Sequence, residues 1–141
     1  MDGCIFCDIV KGRVSASIVY NDEKVMVFMD TRPVNPGHVL IIPKAHASQL
    51  SELDEETGGH MFKIAMHIDE ALRRSGLRCK DVTLLLADGE AAFQEICHVH
   101  LHVIPRFRGD GFGIRFGRDY GRESDRKELN TVADKIKTTL S

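Results

Sequence analysis

The spacing of apolar positions changes several times along the chain, and each change marks an element. Ile5, Phe6, Ile9 and Val10 recur at helical spacing and predict a short helix that Gly12 stops. Apolar runs near 17–20 and 24–29, separated by the turn pair Asn21-Asp22, predict two strands. Residues 31–37 contain Pro33, Asn35, Pro36 and Gly37, so they cannot extend a sheet and form a loop into a strand over 38–42. Met61, Ala65, Ile68 and Leu72 share one face of a long helix, with Asp54 as its cap and Gly76 at its end. Two further strands are expected over 82–87 and 97–104, around a loop that contains Gly89. Leu129, Val132, Ile136 and Leu140 predict an amphipathic helix after Ser124, within a terminal segment 124–141. Five strands with few helices between them favour an α+β fold. The expected sheet is mainly antiparallel, with one long helix and shorter terminal helices.

A chain of 141 residues with 43% hydrophobic content and no Pro/Ser-rich linker is expected to form one domain over 1–141. The net charge of −2 argues against a basic nucleic-acid surface but permits a small anionic ligand. No charged leader with a long apolar stretch opens the chain, and no apolar run is long enough to span a bilayer. The expectation is a cytoplasmic protein without a membrane or nucleic-acid partner.

The 97–104 run carries its own chemistry. His98, His100 and His102 alternate with Val99, Leu101 and Val103, a period of two that suits a strand. The three imidazoles then form a row on one face, spaced about 6.8 Å apart. Such a row could line a solvated face. Burying unpartnered imidazoles is costly, however, so three on so apolar a segment mark a candidate site. Rings that far apart cannot all reach one ion at about 2 Å, which limits a shared metal to one or two of them. Cys4 and Cys7 form a Cys-x-x-Cys pair, readable either as metal ligands or as two thiols buried by a helical turn. Cys79 and Cys97 have no comparable context. His60 and His67, seven apart on the long helix, read as solvated structural residues.

The motif His-x-His-x-His followed by two apolar residues resembles the signature of the histidine triad (HIT) family. Cys4-Ile5-Phe6-Cys7, Val27-Phe28-Met29-Asp30, Pro36-Gly37-His38, Ile42-Pro43-Lys44-Ala45-His46 and Gly89-Glu90 leading to Gln94 follow in family order, so the likeness covers about residues 4–116. It implies a nucleotide-binding hydrolase or transferase acting at the α-phosphate of a purine nucleoside 5′-phosphate derivative. Phosphoramidates, acyl-adenylates and dinucleoside polyphosphates are the expected substrate classes. Carried over by position, His100 is the nucleophile that becomes nucleotidylated, with His98 and His102 as its catalytic companions. His102 and His38 contact phosphate, Asp30 holds the ribose hydroxyls, and Phe6, Ile9 and Phe28, with Ile5, line the purine slot. Zinc-binding members imply a structural zinc on Cys4, Cys7, His46 and His98, and the family implies a homodimer.

The chain also departs from the family pattern. Ala87-Asp88-Gly89 replaces the usual Asn-x-Gly, and Phe93-Gln94-Glu95 replaces Gly-Gln followed by a hydroxyl residue. Gln94 and Glu95 are still expected at the substrate. A carboxylate beside phosphate must be protonated, face away, or serve as acid or base. Asp30 also suits an ordinary turn before Thr31-Arg32-Pro33. The loop Gly109-Asp110-Gly111-Phe112-Gly113 is a weaker substrate-loop candidate, because it lacks the P-loop lysine. Two rival readings remain open from sequence: a nucleotide-binding partner protein with little turnover, and a hydrolase using the histidines to hold a catalytic zinc.

Overall fold

The computed structural model describes residues 3–140; Met1, Asp2 and Ser141 lie outside it. The elements run α1 (Ile5–Val10), β1 (Ile18–Asn21), β2 (Val25–Met29), β3 (Val39–Pro43), α2 (Glu55–Arg74), β4 (Asp81–Leu85), β5 (Leu101–Arg106) and α3 (Arg126–Thr139). The five strands form one antiparallel sheet in the order β1-β2-β3-β5-β4. Among the described residues, no helix is long and apolar enough to cross a membrane.

Strand alternation builds two cores, one on each face of this sheet. Val25, Val27, Val39, Ile41, Val99, Leu101 and Val103 pack on the α2 residues Met61, Ile64, Ala65, Ile68 and Leu72. Met26, Phe28, Leu40 and Ile42 project to the other face, where α1 covers them with Phe6, Cys7 and Ile9. A sheet buried on both faces needs apolar residues at consecutive positions, which is why β2 and β3 read as continuous apolar runs. The ends of α2 follow from local chemistry. Asp54 accepts the Thr57 N–H at 3.0 Å, Glu55 and Glu56 lie at the positive end, and Arg73 and Arg74 lie at the negative end.

The triad segment is less regular than its pattern predicts, since β5 begins at Leu101 rather than at residue 97. His98 N–H bonds back to Ile96 and Val99 N–H bonds to Ala47, so residues 96–100 leave the ladder. The carbonyl of Pro43 is taken at 2.8 Å by the ring of His98. β4 is shortened with it, ending at Leu85 opposite His102 instead of at Ala87. His60 is tied down: it lies 2.6 Å from Asp22, which also accepts Tyr20 Oη–H at 2.8 Å and joins the β1–β2 turn to α2. The terminal helix forms where predicted, yet Leu129, Val132, Ile136 and Leu140 are all exposed.

Gly37 closes the loop into β3 at φ +104°, where a Cβ would lie 2.9 Å from Leu77 Cδ1 and 3.2 Å from Leu72 and Pro105. Gly37→Ala combines a disfavoured backbone with overpacking and is expected to cost about 2–4 kcal/mol in a denaturant unfolding titration. A loss under about 0.5 kcal/mol would mean that this loop adapts freely.

Candidate active site and metal centre

Each histidine of the site has one proton when neutral, and its partners assign which nitrogen carries it. His98, fully buried, donates from Nε2 to the Pro43 carbonyl at 2.8 Å. Its Nδ1 is therefore a lone pair, and it faces Cys4 Sγ at 3.4 Å, Cys7 Sγ at 3.6 Å and His46 Nδ1 at 3.2 Å. His46 Nδ1 is also 3.4 Å from Cys7 Sγ, while its Nε2 lies 3.3 Å from Ser48 Oγ. Two thiols from the first turn of α1 and two imidazole lone pairs thus converge. A tetrahedral ion with bonds of about 2.05 Å to nitrogen and about 2.3 Å to sulfur sets N···N near about 3.3 Å and N···S near about 3.6 Å. The observed edges match that figure, so Cys4, Cys7, His46 and His98 could hold a metal with all four positions filled.

His100, also buried, donates from Nδ1 to the carbonyl of His98 at 2.8 Å. Its Nε2 carries a lone pair and has no hydrogen-bond partner among the described residues. Phe6 holds the ring edge-on, with centroids 5.2 Å apart, and packs likewise on His98 at 5.8 Å. A second chain of protons runs through His38. The Val34 N–H donates to His38 Nδ1 at 3.0 Å, so His38 keeps its proton on Nε2. From there it donates to His102 Nδ1 at 2.9 Å. His102 is left with Nε2–H pointing outward from that pair. Side by side, His100 offers a lone pair and His102 a donor, their rings 5.0 Å apart.

The HIT domain family matches residues 11–109. The chain belongs to the HIT family. Over 99% of both chains it superposes on a HIT family protein from Bacillus anthracis at a TM-score of 0.90, with 35% identity. A zinc-bound histidine triad family protein from Mycobacterium smegmatis matches at 0.76 and 36% identity over 98% of both chains. A histidine triad nucleotide-binding protein from Candida albicans matches at 0.84 and 26% identity over 96% of each.

Within this HIT fold several expected contacts are revised. His98 commits both ring nitrogens, one to Pro43 and one toward the Cys/His cluster, so it reaches His100 only through its backbone carbonyl. His38 has Val34 N–H on Nδ1 and His102 Nδ1 on Nε2, so in this structure both of its nitrogens are hydrogen-bonded within the chain. Gln94 is a loop clamp: its oxygen accepts Gly89 N–H at 2.7 Å and its amide nitrogen donates to Ser48 and Ile96 carbonyls. Glu95 lies outside β5, its side chain is 80% exposed, and it pairs with Arg32 at 3.8 Å. Phe93 is 87% exposed at φ +69°. Phe6, Phe28 and Ile9 are buried in the α1 core, where Phe6 and Phe28 meet edge-on, and Ile5 is the exposed member of that set.

Asp30 performs the turn role and retains a second one. Its Oδ1 accepts Arg32 N–H at 2.8 Å, while Oδ2 lies 3.5 Å from His38 Nε2. Asp30, His38 and His102 are close enough together to suggest a second metal set. The Val34 N–H disfavours that use, since it leaves the His38 proton on the nitrogen that would have to bind the ion. Nothing in the sequence pattern signalled Val34, the Pro43 carbonyl or the His98 carbonyl, because backbone groups have no residue signature.

Burial pushes His102 down to about 4, with His100 and His38 adding to the effect and Asp30 opposing it. Burial lowers His38 as well, against the pull of Asp30. Both rings stay neutral when folded, whereas the unfolded chain takes up protons below about pH 6.5. The unfolded state therefore binds more protons, and stability falls as pH drops from about 6.5 toward about 4. Unfolding free energies measured across that window should show this slope, and His102→Gln should flatten it. An unchanged slope in the variant would assign the loss to other groups.

Proposed function

We propose that this protein is a nucleotide hydrolase or transferase acting at the α-phosphorus of a purine nucleoside 5′-phosphate derivative. The observation that carries the reading is the bond from His100 Nδ1–H to the His98 carbonyl, which keeps the Nε2 lone pair free and directed away from the backbone. Attack by Nε2 forms a phosphorus–nitrogen bond, and the leaving group departs with the electrons of its bond to phosphorus. The ring becomes cationic, and the carbonyl that accepts its Nδ1–H stabilises that charge. Water then attacks phosphorus and releases one proton to solvent, the phosphorus–nitrogen bond breaks with its electron pair returning to Nε2, and His100 is neutral again with nucleoside monophosphate released. Membership of a family whose members are generally nucleotide-binding hydrolases supports this reading, as does the nucleotide-binding neighbour.

His102 supplies the charge stabilisation. As a neutral imidazole it serves as a fixed hydrogen-bond donor, and its Nε2–H can meet a phosphate oxygen or the leaving atom. Asp30 keeps Oδ2 as an acceptor suited to ribose hydroxyls, and exposed Ile5 offers an apolar contact for the base. A phosphoramidate, an acyl-adenylate and a dinucleoside polyphosphate all fit, because each presents the same α-phosphorus with a different leaving group. The departure at Glu95 lies in an exposed pair with Arg32.

Zinc suits the Cys4, Cys7, His46 and His98 set by distance and by donor softness, and would act there as a closed structural cross-link. A cytoplasmic homodimer completes the reading, supported by the unpaired edge of β4, where Leu84 and Leu85 are exposed.

His100→Ala removes the attacking atom but not the binding groups. Turnover should fall by at least about 10³-fold while nucleoside monophosphate binding stays within a few-fold, and label from radioactive substrate should be trapped on His100 of the parent. Variant turnover close to the parent's overturns the assignment. For the metal, Cys4→Ser and Cys7→Ser should lower zinc content and melting temperature together. A zinc-free parent that melts as high as a zinc-loaded sample removes the metal from the account.

A further inference from the structure

The glycine-rich loop after β5 contains one charged residue, Asp110, and it turns inward. Its side chain is 3% exposed and accepts five hydrogen bonds. Arg106 donates from Nε at 2.7 Å and from Nη2 at 3.0 Å, Asn35 from Nδ2 at 2.9 Å, and Phe112 and Phe107 from their backbone N–H at 3.2 and 3.4 Å. Arg106 is itself held by Thr83 Oγ1 at 3.0 Å and by the Phe112 carbonyl at 2.6 Å. A carboxylate so saturated is a hub for the loop, and it leaves no lone pair for a substrate.

Asn35 carries the connection toward the histidines. It is buried, donates a second bond to the Pro105 carbonyl at 2.8 Å, and accepts the His38 N–H on its own carbonyl at 3.1 Å. Asp110 and Pro105 thus pin the turn 34–38 from the far end of β5. That turn presents the Val34 N–H to His38 Nδ1. Should this N–H drift away, the His38 proton can move to Nδ1 and its Nε2 becomes an acceptor. His102 must then donate from Nδ1 to keep the bond between them, which leaves its Nε2 as a lone pair. One displaced amide would invert the polarity of both rings and aim a lone pair at phosphate instead of a donor.

We propose that Asn35 and Asp110 are positioning residues that fix the His38 tautomer and thereby keep the outward proton on His102. The consequence for turnover rests on the function proposed above, whereas the tautomer assignment does not. Long-range proton–nitrogen NMR correlations on the full-length protein report which nitrogen of each ring is protonated. The parent should carry the proton on Nε2 in both His38 and His102. Asn35→Ala and Asp110→Asn should mix the two tautomers in His38 and His102 together. They should also lower kcat by roughly 10–100-fold while KM moves by less than about threefold, as expected for misdirected catalytic groups.

Val34→Pro deletes the N–H without touching the hub and should give the same ring spectra, so it carries the test if an Asn35 or Asp110 variant fails to fold. An Nδ1-protonated His38 in the parent overturns the proposal. So do variants that lose kcat while both rings keep the parental tautomer, since that is a structural defect alone. If no nucleotide substrate is turned over by the parent, the functional reading fails, and the NMR comparison still decides the positioning role.

Discussion

A neutral imidazole has one proton, and in this HIT protein the backbone decides where each proton sits. The Pro43 carbonyl, by accepting, holds it on His98 Nε2, the His98 carbonyl holds it on His100 Nδ1, and the Val34 N–H keeps it on His38 Nε2. From these three bonds follow the lone pair that turns toward Cys4 and Cys7, the lone pair at His100 Nε2 and the donor at His102 Nε2. Such control works because the rings are buried. A buried ring with an unmatched nitrogen loses about 1–3 kcal/mol, so the alternative tautomers are disfavoured, and at His38 the Asp30 carboxylate 3.5 Å from Nε2 adds to the restraint. Burial also keeps His102 neutral well below physiological pH, which preserves its donor and acceptor pattern.

The same bonds join the Cys/His cluster to the proposed nucleophile. His98 contributes a ring nitrogen to one and a backbone carbonyl to the other, so fixing its ring fixes the acceptor on which His100 depends. Cys4 takes part in this twice, because its sulfur also accepts the Cys7 N–H at 3.4 Å and caps α1. Burial pushes the Cys7 thiol up, as does its neighbour Cys4, so the Cys7 thiolate that a metal needs is disfavoured until a cation shares the cluster. Phe6 spans the two halves by packing edge-on against both rings. The helix that the sequence pattern presents as an apolar wall is therefore part of the frame of the site.

Most of the fold was legible because it obeys periodicity. The strands at Val25–Met29 and Val39–Pro43, the helix capped by Asp54 and the end at Gly76 all follow from spacing and local hydrogen bonding. The Cys4, Cys7, His46 and His98 cluster was reachable only through family likeness, since His46 lies 39 residues from Cys7 and 52 from His98 and nothing in those separations marks them as neighbours. What misled was treating 97–104 as one continuous strand. A regular strand would line up three equivalent rings. The chain instead turns at Ile96–His98, and this turn gives the three histidines three different surroundings. His38 shows the same limit: the residue type indicates that it can bind phosphate, but only the Val34 amide reveals which of its nitrogens carries the proton.

The departures from family pattern have different weights once their positions are known. Gln94 sits where the pattern expects a substrate contact, yet its three hydrogen bonds hold the loop between Gly89 and the triad segment, so its chemistry serves geometry. Glu95 and Phe93 flank it on the exposed side. Glu95 lies in solvent paired with Arg32, so its charge is screened there. The core chemistry of the site is consequently set by buried backbone bonds that tolerate little change. The exposed residues Phe93, Glu95 and Arg32 lie where substitutions cost little stability.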